Sequence, residues 1–153
     1  MESIFDVDII MVSYNQEIWI KEAIESVLNQ KTNFRFRLII GDDCSTDNTT
    51  SIIERYARDF PDIVILLKSD KNEGIVRNYL KCFEFCTAEL ICILEGDDYW
   101  IDIFKLENQF SLFKDPTIGL AHSNYTMYVE KNKKFKKTTR TLSAYNEKNQ
   151  GFI

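Results

Sequence analysis

Three carboxylates surround a glycine in the middle of the chain, in the order Glu95-Gly96-Asp97-Asp98. The preceding apolar run, residues 91–94, has the length and composition of a buried strand, so the acids lie at its carboxyl end. Carboxylates this close repel one another unless a cation neutralises them. Oxygen ligands of this kind suit Mg²⁺ or Mn²⁺, which often complete their coordination with substrate phosphates. The segment therefore predicts a metal–diphosphate site.

Two other apolar runs also end in polar groups, namely Ser13-Tyr14-Asn15 and Asp42-Asp43. The carboxyl ends of parallel strands meet at one edge of a sheet, where ligands bind in open α/β folds. One Asp is enough to cap a following helix, so the second would be left free to accept a hydrogen bond from a pyrimidine imide. Tyr14 is either a ring that stacks on a base or an ordinary core tyrosine, and the sequence leaves both interpretations open.

The elements that position these groups alternate along the chain. Short apolar runs predict four strands, over residues 7–12, 36–40, 63–67 and 90–94. Helical spacing predicts three helices between them and a fourth over about 103–113. Strand–helix alternation with short links predicts an α/β fold, in which a mostly parallel sheet has helices on both faces.

Two features of the predicted helices bear on the site. Asn15 is expected to cap the first helix, and either Ser45 or Asp47 the second. In the third helix, the spacing predicts a face that packs in the core. That face carries Val76, Leu80 and Phe83.

Length and charge limit the function classes. The 153 residues suit a single domain over 1–153, and 44% apolar content is ample for a core. Residues 131–153 carry seven Lys/Arg and one acid, whereas the other 130 residues carry 12 basic and 23 acidic residues. An acidic body argues against nucleic-acid binding. The basic end is either a solvated hairpin or a surface for an anionic membrane or an acidic partner.

The cysteines and the first residues of the chain predict a cytoplasmic location. The four cysteines form no CxxC pair, and the single histidine, His122, cannot supply a zinc site. Reduced, mostly buried thiols are therefore expected. No signal peptide is recognisable, and no apolar run has the length of a membrane span. If the basic end contacts lipid, the protein would lie at the inner face of the membrane.

Four motifs resemble those of the family 2 glycosyltransferases. Residues 12–30 are similar to the opening strand and helix of that family, and residues 38–49 to its second strand and acidic turn. The sequence Asn-Glu-Gly at 72–74 is similar to the third loop, and residues 94–100 to the metal-binding DxD region. The resemblance covers residues 5–115. It implies a GT-A-like, Rossmann-like fold. The strand-like alternation that follows this region adds the expectation of an antiparallel extension at the C-terminal end.

The resemblance also implies roles for particular residues in nucleotide binding. Tyr14 would pack near the base, with Ser13 beside it. Asp43 would bond a uracil-type ring, and Asp42 would flank it. Arg77 would lie near the diphosphate of the nucleotide.

In the acidic segment, the resemblance makes Asp97 the ligand of the divalent ion, Mg²⁺ or Mn²⁺. Glu95 stands where the family usually has an Asp, and its longer side chain would reach the ribose or a metal-bound water. Asp98 is an additional carboxylate that either joins the metal site or caps the following turn.

The resemblance implies transfer of a sugar from a nucleotide-sugar donor, expected to be UDP-linked, to a saccharide or lipid-linked acceptor in surface polysaccharide synthesis. Inverting members use a carboxylate base from the second half of the domain. After Asp115 the only acids are Glu130 and Glu147, and neither is a convincing base. The catalytic residue is therefore unknown, and the chain is expected to be the nucleotide-binding part of a longer enzyme.

A catalytically silent nucleotide-sugar-binding module is the alternative. A plain dinucleotide binder is disfavoured because residues 12–15 lack GxGxxG.

The last part of the chain has strand-like alternation but no acidic base. The pattern predicts a strand over 118–129, a turn at 131–134 and another strand over 135–142. Apolar residues in this stretch would lack partners within the chain. We therefore predict that residues 117–145 form an antiparallel extension that pairs with a second copy in a homodimer.

Overall fold

The structure is a computed structural model that describes residues 4–129 and 134–137. The chain divides into two compact units, Met1–Leu106 and Glu107–Ile153. The predicted single domain over 1–153 stays a prediction. Within the described residues, no helix has both the length and the apolar character needed to cross a membrane.

The first unit contains a parallel sheet whose four strands are β1 (Val7–Ser13), β2 (Phe36–Asp42), β3 (Val64–Lys68) and β4 (Leu90–Ile93). Their order in the sheet is β3-β2-β1-β4, and every pair is parallel. β1 is buried at every position, as expected for a central strand covered on both faces. The apolar runs thus predicted all four strands, with ends that differ by at most two residues.

Helices α1 (Ile20–Leu28), α2 (Thr49–Asp59) and α3 (Ile75–Phe85) connect these strands, and α4 (Lys105–Leu112) follows β4. The chain proceeds outward from β1 to β3 and then returns to the other side of β1. Right-handed crossovers therefore place α1 and α2 on one face of the sheet and α3 on the other. The α3 residue Cys82 packs against Ile10, Val12 and Ile39 on that second face. The predicted α/β architecture is confirmed.

The packing of α3 differs from the prediction, which assigned its core face to Val76, Leu80 and Phe83. These three side chains are exposed, by 68%, 55% and 40%. The buried residues of the helix are instead Asn78 and Cys82. A Cβ atom on Gly41 of β2 would lie 2.3 Å from Asn78 Oδ1 and 2.6 Å from Cys82 Sγ. The bare glycine backbone therefore lets the more polar face of the helix approach the strand.

The predicted helix caps also differ in part. The prediction that Asn15 caps α1 is wrong, because the N-cap position is Trp19 and no side chain caps it. The N-cap of α2 is Asn48, which also lacks a side-chain cap. Its neighbour Asp47 instead accepts a hydrogen bond at Oδ1 from the Thr49 N–H, at 2.9 Å.

A buried ion pair closes the amino edge of the sheet. Arg37 donates from Nε and Nη2 to the two carboxylate oxygens of Asp8, each at 2.9 Å. The backbone N–H groups of Thr87 and Ala88 donate to Asp8 Oδ2 at 2.7 and 3.0 Å. Burial alone would raise the pKa of Asp8, but these hydrogen bonds and the Arg37 charge hold it below its usual value. Two aromatic rings lie beside the Arg37 guanidinium, those of Phe5 and Phe85.

The second unit contains an antiparallel pair, β5 (Thr126–Val129) and β6 (Lys134–Lys137). The strand predicted over 118–129 is present only in its last four residues, and residues 118–125 are not a strand. The predicted turn at 131–134 falls largely outside the described residues, as does the end of the second predicted strand. The predicted antiparallel pairing is confirmed for β5 and β6. The full extension over residues 117–145 and its pairing with a second copy stay predictions.

Candidate functional site

An open cleft of about 250 Å³ lies at the carboxyl edge of the sheet, where β1 separates β2 from β4. The strand order reverses at this point, which is where open α/β sheets bind ligands. The cleft brings together four of the residues predicted from the sequence, Ser13, Tyr14, Asp43 and Glu95. Its lining also includes Gln16, Asn72, Gly74 and Asn78.

Tyr14 and Ser13 occupy different depths of the cleft. Tyr14 is 45% exposed, so its ring is not a core tyrosine and has a face available for stacking. Ser13 is only 3% exposed. Ser13 is the last residue of β1 and Tyr14 follows it. The Asp43 N–H donates to the Ser13 carbonyl at 3.0 Å, which ties the ends of β1 and β2 together.

A set of hydrogen bonds locks the loop after β1 to the loop after β2. Asn15 adopts a left-handed backbone with φ of 53°, a conformation that Asn tolerates better than most residues. Its N–H donates to Ser45 Oγ at 3.0 Å, and its Oδ1 accepts from the Thr46 N–H at 2.8 Å. These bonds hold the adjacent Tyr14 at the cleft. Further bonds between the loops join Gln16 to Thr49 and Glu17 to both Asp47 and Asn48.

Asp42 is turned away from the cleft. It is 1% exposed, and its two carboxylate oxygens accept from the hydroxyls of Ser45 and Thr50. Asp42 is therefore the member of the acidic pair that shapes the turn leading into α2, as one of the two was expected to do. It does not line the cleft.

Asp43 lines the cleft but is not free. Its Oδ1 accepts from the Glu73 N–H and its Oδ2 from the Gly74 N–H, both at 2.8 Å. Gly74 has φ of 88°, a conformation in which a glycine avoids the strain of a side chain. Asp43 thus anchors the third loop to the end of β2. Each carboxylate oxygen retains a lone pair, so the group is still an acceptor for a ligand.

Three buried side-chain oxygens of the described residues have no hydrogen-bond partner, and all belong to residues that line the cleft. They are Ser13 Oγ, Gln16 Oε1 and Asn78 Oδ1. The amide orientation of Asn78 is set by its Nδ2, which donates to the Gly41 carbonyl at 2.8 Å. Buried polar atoms are nearly always paired in native proteins, so three unpaired oxygens among the residues that line one cleft are unusual for a purely structural edge.

Glu95 is half-buried at the end of β4 and is held by a residue that sequence analysis did not identify. Tyr79 of α3 donates its hydroxyl to Glu95 Oε1 in a short hydrogen bond. Burial and the neighbouring Glu95 carboxylate raise the pKa of Tyr79 well above its usual value. The sequence did not point to Tyr79, because the apolar spacing of α3 predicts a different buried face.

Asp97 and Asp98 lie on an exposed turn directly after Glu95. The turn is held by the Asp98 N–H, which donates to the Glu95 carbonyl at 3.1 Å, and by the Gly96 N–H, which donates to the Val12 carbonyl at 3.2 Å. Desolvation and the charge of Asp97 raise the pKa of Asp98. A cation beside the pair would relieve this repulsion.

The protein alone does not enclose a metal in the part of the chain that the structure describes. There, no three His, Cys, Asp or Glu side chains converge to hold an ion. Mg²⁺ and Mn²⁺ bound with a nucleotide commonly use one or two carboxylates, and phosphates and water complete the shell. The exposed Asp97–Asp98 turn fits such a shared site.

A glutamine side chain holds the segment that follows the Asp97–Asp98 turn. Gln30, 7% exposed and two residues after α1, donates from Nε2 to the Asp102 carbonyl at 2.8 Å. Its Oε1 accepts from the Leu106 N–H at 2.9 Å. The chain after the acidic turn is thereby fixed to α1. No local sequence pattern marked this residue.

Arg77 does not line the cleft in this structure. It lies in the first turn of α3, and its side chain is 72% exposed. Its Nη1 is 4.0 Å from Glu73 Oε1, in the loop that Asp43 anchors. The guanidinium thus lies near the third loop.

The sequence is similar to known glycosyltransferases. It matches the family model described as glycosyl transferase family 2 over residues 8–153, so the match continues beyond residue 115, where the motif resemblance ended. It is 30% identical over 128 residues to the dTDP-rhamnosyl transferase RfbG of Shigella flexneri, covering 81% of this chain and 44% of that protein. It is also 30% identical over 125 residues to the putative teichuronic acid biosynthesis glycosyltransferase TuaG of Bacillus subtilis, covering 81% of this chain and 48% of that protein.

The fold is similar to that of a solved mannosyltransferase, PcManGT from Pyrobaculum calidifontis in complex with GDP-Man and Mn²⁺. The TM-score is 0.68 at 25% identity, covering 76% of this chain and 34% of that protein. The GT-A-like fold expected from the motifs is confirmed. The chain spans less than half the length of each of these three proteins.

Proposed function

The chain belongs to glycosyltransferase family 2, and we propose that its cleft binds the nucleotide of a nucleotide-sugar donor. The full-length enzyme would transfer the sugar of this donor to a saccharide or lipid-linked acceptor in surface polysaccharide synthesis. The observation that carries the proposal is that all three unpartnered buried oxygens of the described residues belong to residues that line the cleft at the strand-order reversal. A flat or purely structural edge would not concentrate them there. The names of RfbG and TuaG, which refer to rhamnosyl transfer and teichuronic acid biosynthesis, support this substrate class.

We propose that the base lies between Tyr14 and Asp43. The exposed Tyr14 ring offers a stacking surface. Asp43 retains acceptor capacity for a ring N–H, which uracil carries at N3 and cytosine lacks. The relatives named for dTDP and GDP-Man also use bases with a ring N–H, thymine and guanine. We infer a UDP-linked donor, because uracil carries at N3 the ring N–H that Asp43 can accept.

We propose that Asp97 binds a divalent cation, Mg²⁺ or Mn²⁺, together with the donor diphosphate. The cation would stabilise the charge that develops on the leaving diphosphate. Asp98 and Glu95 flank this residue in the sequence, and a backbone hydrogen bond from Gly96 to Val12 joins the turn to β1, although of these three acids only Glu95 lines the cleft. The Mn²⁺ in the mannosyltransferase structure supports this assignment.

The second candidate function is a nucleotide-sugar-binding module without transferase activity of its own. It is favoured by the absence of Asp and Glu from residues 116–129 and 134–137, which are the described part of the chain after Asp115. Glu130 and Glu147 fall outside that part. Sugar transfer and donor hydrolysis by this chain, compared with any longer form of the gene product, separate the two functions.

The donor assignment is tested by calorimetry with Mn²⁺ and UDP, CDP or GDP. Saturable, Mn²⁺-dependent binding of UDP, stronger than that of CDP, is the expected result. Absence of binding by all three nucleotides would remove the proposal.

We also propose a cytoplasmic location, with peripheral membrane contact through the basic residues 131–153 and self-association through residues 117–145. The charge asymmetry supports the membrane contact. Vesicles with and without anionic lipid, and light scattering of the purified chain, test these two statements.

A further inference from the structure

Tyr79 connects two elements that meet at the cleft. It lies on α3, where its side chain packs on the buried cluster that includes Ile10, Val12 and Cys82. Its hydroxyl reaches across to the end of β4 and donates to Glu95 Oε1. The ring is thus anchored in the core while its polar end contacts a cleft-lining carboxylate.

The length of the Glu95 side chain gives this contact its importance. Glutamate has one more rotatable bond than aspartate, so a half-buried Glu in an open cleft has several rotamers available. A tyrosine has only two side-chain torsions, and Tyr79 is already packed. Its hydrogen bond therefore restricts Glu95 to rotamers that keep Oε1 on α3, and this bond does not use Oε2 of the same cleft-lining residue.

From this geometry we propose that Tyr79 is a positioning residue, which orients the Glu95 carboxylate so that Oε2 accepts from a hydroxyl or metal-bound water of the nucleotide-sugar donor. The inference rests on the proposed function. It explains how the longer and more flexible glutamate side chain is held in one orientation. It also gives α3 a second contact with the cleft, because the same helix carries Asn78, which lines the cleft.

The chain offers a matched control in a second tyrosine–glutamate pair. Tyr56 of α2 donates its hydroxyl to Glu25 Oε1 of α1 at 2.7 Å. Burial and the Glu25 carboxylate also raise the pKa of Tyr56, to about 12. Neither residue lines the cleft. Loss of this hydroxyl therefore reports the structural cost of such a bond without any effect on ligand orientation.

The experiment compares Tyr79→Phe and Tyr56→Phe in the full 153-residue chain. Thermal unfolding is measured without nucleotide, and the Kd for UDP, and separately GDP, is measured by calorimetry with Mn²⁺. We expect similar small drops in unfolding temperature for both variants. Tyr79→Phe should weaken nucleotide binding about tenfold, the effect of one charge-assisted hydrogen bond, whereas Tyr56→Phe should stay within about twofold of the unmodified protein.

A second variant keeps the test decisive if Tyr79→Phe does not fold. Glu95→Asp shortens the acid beyond the reach of the Tyr79 hydroxyl, so it should weaken binding about as much as Tyr79→Phe. The double variant should bind no worse than Glu95→Asp alone, because both changes remove the same contact.

The outcomes separate this inference from the proposed function. Nucleotide binding by the unmodified chain together with unchanged affinity in Tyr79→Phe, or with additive losses in the double variant, would overturn the role of Tyr79 alone. Failure of the unmodified chain to bind either nucleotide would overturn both.

Discussion

The two edges of the parallel sheet bury polar side chains in opposite ways. At the amino edge, the Asp8 carboxylate accepts from the Arg37 guanidinium and from two backbone N–H groups. At the carboxyl edge, Ser13, Gln16 and Asn78 each bury an oxygen without a partner among the described residues. Since an unpaired buried polar atom costs free energy, we interpret the first edge as the part that stabilises the fold and the second as the part that binds a ligand.

Asp8 and Asp43 make the comparison specific, because both are almost completely buried, at 0% and 3% exposure. Asp8 has a cation and two backbone donors. Asp43 has two backbone donors, and within the described residues it forms no ion pair. A buried carboxylate without a cation keeps acceptor strength that a ligand N–H can use. Similar burial therefore leads to a structural role at one edge and a proposed recognition role at the other.

The largest effect is expected at the amino edge. Asp8→Ala would leave Arg37 buried without its partner, and we expect a loss of about 3–5 kcal/mol in the free energy of unfolding. Urea titration followed by circular dichroism measures it. Lys68→Ala is the control, because it breaks an exposed pair with Glu54 and should cost at most about 1 kcal/mol. Equal losses in the two variants would contradict the assigned role of this edge.

The second effect is expected at the Asp97–Asp98 turn. Asp97 is exposed, so Asp97→Ala should leave stability nearly unchanged while it weakens Mn²⁺-dependent UDP binding by about a hundredfold, roughly 2.7 kcal/mol. Calorimetry with and without Mn²⁺ gives this difference. The matched change at Asp62, another exposed carboxylate that lies before β3, should have no effect on binding. Unchanged Mn²⁺–UDP affinity in Asp97→Ala would rule out Asp97 as the ligand.

The third effect concerns base selection. UDP should bind more tightly than CDP by about 1–3 kcal/mol, because the ring nitrogen of cytosine would oppose the Asp43 acceptor. Asp43→Asn should narrow this preference, since an amide N–H can pair with cytosine. The same variant places an amide beside the loop N–H groups of Glu73 and Gly74, so a modest loss of stability is expected as well. Equal affinities for UDP and CDP in the unmodified protein would contradict the assignment.

The smallest effect is expected from pH. Because the folded-state pKa of Asp8 lies below its usual value of 3.8, the ionised form contributes stability that is fully present above that value. This contribution is lost as the pH falls through the lower pKa of the folded protein. The difference in unfolding free energy between the unmodified protein and Asp8→Asn should therefore shrink below about pH 4. A difference independent of pH would show that the charge of Asp8 is not involved.

Local sequence patterns determined the strands, their approximate ends and the residues at the carboxyl edge. The central strands β1 and β2 are almost continuously buried, as a parallel sheet covered on both faces requires. The edge strands β3 and β4 are only partly buried, although the apolar run before Glu95 was expected to be a buried strand. The acidic segment after β4 and the polar end of β1 follow directly, since they come next along the chain. These local features were sufficient to predict the fold class and the position of the cleft.

Only the tertiary structure decided which side chains share a contact. Gly41 on a neighbouring strand selected the buried face of α3, against the apolar spacing of the helix itself. Asp43 contacts a loop 30 residues away, and Tyr79 contacts Glu95 across 16 residues. Each of these contacts depends on the distance between two backbones and on the direction of two side chains. The spacing of residues along one segment contains neither quantity, so the roles of Asn78, Asp43 and Tyr79 emerged only when the strands and helices were packed together.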